Sequence, residues 1–119
     1  MGFGMKPLFE GTVANTETKY VGVPIWKGRI GLHIAWLDAT SAATITLEYS
    51  SFPATDAPVD EAGSAWEWVD SGETITGPDG SAAGAVLVNL KDVHQLRARL
   101  KIVATADSDL IVRDGCPAT

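Results

Sequence analysis

Helical periodicity is missing from this sequence. Nowhere in its 119 residues do apolar side chains recur at i, i+3, i+4 and i+7 for long enough to cover one face of a full helix. The core must therefore be built from extended segments. No apolar run approaches the roughly 18 residues that cross a bilayer. Met1–Leu8 has neither a basic n-region nor an apolar h-region, so a soluble chain without a secretory signal is expected. Cysteine is nearly absent as well. Cys116 is alone, which excludes an intrachain disulfide and fits synthesis in a reducing cytoplasm.

Basic residues are the next shortage. Lys and Arg do not occur between Arg29 and Lys91, an interval holding Asp38, Glu48, Asp56, Asp60, Glu61, Glu67, Asp70, Glu73 and Asp79. With a formal net charge of -6 the chain lacks the concentrated positive charge that neutralises phosphates, which argues against a nucleic-acid binder. Catalytic signatures are absent too. There is no Gly-x-Ser-x-Gly, and no serine or cysteine is paired with His33 or His94. Gly77-Pro-Asp-Gly80 lacks the lysine and following helix of a phosphate loop. Asp107-Ser-Asp109 lacks the glycine and glutamate that complete a calcium loop. No enzyme activity, metal or cofactor is expected.

What the sequence does have is alternation with a period of two. In Leu96-Arg-Ala-Arg-Leu-Lys-Ile-Val103, Leu96, Ala98, Leu100 and Ile102 fall on one parity and Arg97, Arg99 and Lys101 on the other. This predicts a half-buried strand whose wet face carries three of the nine basic residues. Further strands are predicted over Leu8–Ala14, Lys19–Val23, Arg29–Leu37, Ala43–Ser50, Trp66–Val69, Glu73–Thr76, Gly84–Leu90 and Leu110–Arg113. Asp38–Ala42 is a short turn, so Arg29–Leu37 and Ala43–Ser50 are expected to pair as a hairpin. Ser51–Ala65, with Pro53, Pro58 and Gly63, reads as a long surface loop. Turns are expected at Asp70–Gly72, Gly77–Gly80 and Ala104–Asp109, and a polar connector at Lys91–Gln95. About eight or nine short strands in one domain over residues 8–114 give an all-β fold, a sandwich or a barrel. Residues 1–7 read as a flexible arm and residues 115–119 as a tail.

The uneven charge suggests that acidic loops of one copy meet the basic strand face of another, which favours a homo-oligomer or docking on a larger assembly. Four tryptophans are many for this length. Trp36 and one of Trp66 and Trp68 are expected in the core, the others at strand edges or subunit contacts. Alternatively, Trp26, Trp66 or Trp68 offers a platform for a sugar ring.

Thr44-Ile-Thr-Leu-Glu-Tyr-Ser50, an acidic loop, Trp66-Glu-Trp-Val-Asp70, Leu96-Arg-Ala-Arg-Leu-Lys-Ile102 and a closing Asp109-Leu-Ile-Val112 follow one another in order. Over residues 31–112 this pattern resembles the jelly-roll-like β-sandwich accessory proteins of tailed bacteriophage virions. The chain departs from them in having Arg113-Asp114 in place of a closing lysine, and in its Cys-Pro tail. The resemblance implies an antiparallel, jelly-roll-like sandwich made in the host cytoplasm and carried on the virion. It would be a homotrimer that binds the major capsid protein and touches neither nucleic acid nor membrane. Partner or oligomer contacts are expected at Phe3 and Lys6 in the arm, at Trp26 and Arg29, at Asp56, Asp60, Glu61 and Trp66, and at Arg97, Arg99 and Lys101. A tail or head-fibre component, or a carbohydrate-binding module recognising host glycans, is the competing expectation, because sandwiches of this kind serve both ends.

Overall fold

Alternating apolar residues become strands here because each strand buries one parity against a second sheet and leaves the other outside. A computed structural model describes residues 6–78 and 83–115. It contains β1 (Phe9–Val13), β2 (Thr18–Val23), β3 (Ile30–Trp36), β4 (Ala42–Ser50), β5 (Val69–Thr76), β6 (Gly84–Leu90), β7 (Arg97–Ala106) and β8 (Ser108–Asp114). No helix occurs among the described residues. Phe3, the first five residues of the arm, Cys116 and the rest of the tail, and the later part of the Gly77–Gly80 turn lie outside them.

The first sheet has the order β1-β8-β3-β6 and the second β2-β7-β4-β5. All pairings are antiparallel, and they nest: β1 with β8, β2 with β7, β3 with β6 and β4 with β5. The first half of the chain thus lies against the second half as one long ribbon rolled into two layers, which is the jelly roll. Between the layers Ile34, Ile45, Leu100, Ile102 and Leu110 are fully buried. Each contributes about 1.5–3 kcal/mol of apolar transfer. Trp36 closes the core over Gly77, where an added Cβ would strike its ring.

Several expectations change. β3 and β4 are not a hairpin, because they belong to different sheets. The Asp38 carboxylate accepts from the backbone N–H and the hydroxyl of Thr40, which turns the chain across to the other layer. These bonds also hold Asp38 below the usual carboxylate range. The chain crosses back at Asp107 alone, since β7 runs on to Ala106 through the predicted turn. Two fully buried serines lock these crossings together: Ser108 Oγ accepts from Ala42 N–H at 3.0 Å, and Ser41 Oγ accepts from Asp109 N–H at 3.2 Å. Asp70–Gly72 is not a turn but part of β5. Three residues, Ser71–Glu73, stand opposite Leu47 there, as a bulge. Trp66–Trp68 is a turn rather than a strand, and only Val69 enters β5. Leu96 is not on the dry face of its strand: it precedes β7 and is 72% exposed.

Candidate functional site

The nested pairing gathers the β2–β3, β4–β5 and β6–β7 connections at one end of the sandwich. The β4–β5 connection, residues 51–68, is the longest of them. β7 lies inside the second sheet between β2 and β4, and its outward parity faces this loop. Arg99, expected on a wet face, is only 2% exposed. Its Nε donates to Glu48 Oε1 at 2.8 Å, from the neighbouring position on β4. Its remaining nitrogens donate to the carbonyls of Val59 (3.0 Å), Glu61 (2.6 Å) and Ala62 (3.4 Å). The guanidinium carbon stands 4.1 Å from the Tyr20 ring centroid and 4.4 Å from that of Trp68. Burying a cation costs several kcal/mol unless its donors are used. Here carboxylate, carbonyls and two aromatic rings supply that compensation.

Arg97, next on the same parity, donates to the carbonyls of Phe52 (3.1 Å) and Ala57 (2.6 Å) and lies 4.9 Å from the Trp68 ring. Trp68 is buried beneath the loop, and its indole N–H donates to the Pro58 carbonyl at 3.3 Å. Acidic loop and basic strand do meet, then, but within one chain and through backbone carbonyls. Asp56, Asp60 and Glu61 leave their side chains exposed. Arg99 is thereby removed as a surface contact. Lys101 is half-buried further along β7, and Lys6 is exposed ahead of β1. Trp26 and Arg29 pair across a tight turn made by Lys27 and Gly28, whose φ angles are 51° and 73°. The Lys27 ammonium lies 5.7 Å from the Trp26 ring centroid.

Where the pinned loop meets β5 it leaves a groove of about 500 Å³. Phe52 and Trp66 form its apolar wall, 42% and 57% exposed, in edge-to-face contact with centroids 5.0 Å apart. Val69 and Tyr49 continue that wall, and Glu67, Asp70 and Gln95 supply polar groups. Glu67 Oε2 accepts from Ser64 N–H at 2.8 Å, and Asp70 Oδ1 from Gly72 N–H at 2.7 Å. Burial raises the Tyr49 phenol above the usual tyrosine range, and the Glu73 carboxylate adds to the effect. Of the four tryptophans, Trp36 and Trp68 are buried and Trp66 faces solvent. The sequence missed Tyr49, Phe52 and Gln95 as lining residues, for they lie in three segments with no shared motif. The length of the 51–68 connection, too long to stand free, was the one available sign.

Among the described residues, no group of three or more His, Cys, Asp or Glu side chains is placed to hold a metal ion, and no helix is long and apolar enough to cross a membrane. No family model, curated protein or solved structure matches the chain.

Proposed function

We propose that this chain is a non-enzymatic decoration protein of a bacteriophage capsid. It binds the major capsid protein as a homotrimer and reinforces the shell. The observation that carries the reading is the outward face of the first sheet. Its rows read Thr12, Asp109, then Glu10, Ile111, Ala35, Ala85, then Arg113, His33, Leu87, and then Gly31, Asn89. Small and apolar side chains fill the Ile111, Ala35, Ala85 row, polar and charged ones stand in the rows on either side of it, and Leu87 is 67% exposed. The molecule measures 37 × 37 × 23 Å, a tablet with broad faces. Four strands spaced about 4.8 Å apart and about seven residues long give a face of roughly 19 × 23 Å. That is about half of the ~800 Å² each partner gives to a standard interface. The remainder has to come from the β1 edge and the segment leading into it, or from a second capsid subunit. A trimer bridging neighbouring subunits gains these contacts only on the assembled shell, so mass action favours that state. The jelly-roll topology and the resemblance of the sequence pattern over residues 31–112 to virion accessory proteins support the same reading.

Light scattering on purified protein and co-sedimentation with emptied capsids test it. A trimer that sediments with capsids, and a Leu87→Lys variant that folds but stays in the supernatant, are expected. A strict monomer without affinity for capsids would sink the proposal.

A further inference from the structure

We propose that the groove between residues 49–52 and 66–71 binds a neutral sugar ring of a glycan, a second activity on a different sheet from the face assigned to the shell. Phe52 and Trp66 touch each other edge to face at 5.0 Å, so no space remains between them for an enclosed cation. They stand nearly at right angles, 72° apart, so the platform suited to the C–H face of a pyranose is the more exposed ring, Trp66, with Phe52 as a wall beside it. Around it stand acceptors. Glu67 gives Oε2 to Ser64 N–H and lays Oε1 against Gly63, while Asp70 gives one oxygen to Gly72 N–H within β5 and has the other left for a sugar hydroxyl. Gln95 adds an amide. Two carboxylates on a chain of net charge -6 disfavour sialylated or sulfated ligands. The volume, about 500 Å³, falls in the range of small-ligand sites.

The platform is also held in advance. Phe52 N–H donates to Ser50 Oγ at 3.1 Å and its carbonyl accepts from Arg97. Trp66 stands two residues from Trp68, which is clamped against Arg97 and Arg99. Little ordering is left to be done on binding, which matters for weak sugar ligands. Arg97 acts here as a positioning residue.

A glycan array carrying neutral, sialylated and sulfated oligosaccharides, followed by titration of the best neutral oligosaccharide against tryptophan fluorescence, tests the site. Neutral glycans should be retained, with affinity falling at least about tenfold in Trp66→Ala and unchanged in Trp26→Ala. Asp70→Asn preserves the bond to Gly72 and should weaken neutral binding while admitting sialylated glycans. Circular dichroism confirms that the variants fold. No neutral binding up to millimolar concentration, binding of anionic glycans alone, or neutral binding that survives Trp66→Ala would each overturn the proposal. None of these outcomes bears on capsid co-sedimentation.

Discussion

On the outward side of the second sheet, a loop of the same chain and two arginines lie between the strands and solvent. On the outward side of the first sheet, Ala35, Ala85, Ile111 and Leu87 meet solvent with no loop over them among the described residues. The inward faces are alike, since both are packed with Ile, Leu and Val. The two sheets therefore differ not in how they build the core but in what happened to their second face. One has been closed in part by a loop and its paired polar groups, and the other has been left open, an apolar row of Ile111, Ala35 and Ala85 flanked by rows that carry His33, Arg113, Thr12 and Asp109. Stability concentrates on the closed face, whereas availability to a partner concentrates on the open one.

The contrast is broken most severely by Arg99→Met. This variant leaves Glu48 without its cation and three loop carbonyls without a donor, and should cost about 3–5 kcal/mol in a denaturant titration. It should also open residues 51–68 to limited proteolysis. A loss under about 1 kcal/mol would mean that the loop is not held as described. Glu48→Gln keeps the shape and most of the bonds while removing the negative charge. A smaller loss of about 1–3 kcal/mol is expected, measured the same way. On the open face, Leu87→Ser should change stability by no more than about 0.5 kcal/mol. A larger loss would show that the face is not plain surface.

The smallest effect is spectroscopic. Tyr49 holds its proton more tightly folded than unfolded, so its contribution to stability is complete below about pH 10 and fades as pH rises through the folded value. One of the two tyrosines should ionise late in an absorbance titration. Tyr49→Phe should remove that late phase, and Arg99→Met, by loosening the loop, should bring it back toward the ordinary value.

The strands were legible because parity is a local property: Ile30, Leu32, Ile34 and Trp36 alternate whichever sheet they join. Sheet membership was not. β1 pairs with β8 about a hundred residues away, and nothing between Trp36 and Ala42 distinguishes a hairpin from a crossing until Ser41 and Ser108 are seen to meet. Arg99 was misjudged for a related reason. An arginine on the polar parity of a strand is wet unless something covers it, and its cover comes from residues some forty positions upstream. Trp66 and Trp68 share a parity, yet one faces water and the other is buried against two guanidinium groups, because the turn that carries them is not extended.

The arginines grip the loop by carbonyl oxygens, and every amino acid has one. Side chains such as Thr55, Asp56, Asp60 and Glu61 can therefore be exchanged without unfastening the segment, provided that Gly63, at φ 69°, and Trp68 are kept. Sequence drift in this stretch would alter what the molecule offers to its surroundings while its framework stays constant. The latitude stops at Ala57, which is fully buried and has to stay small.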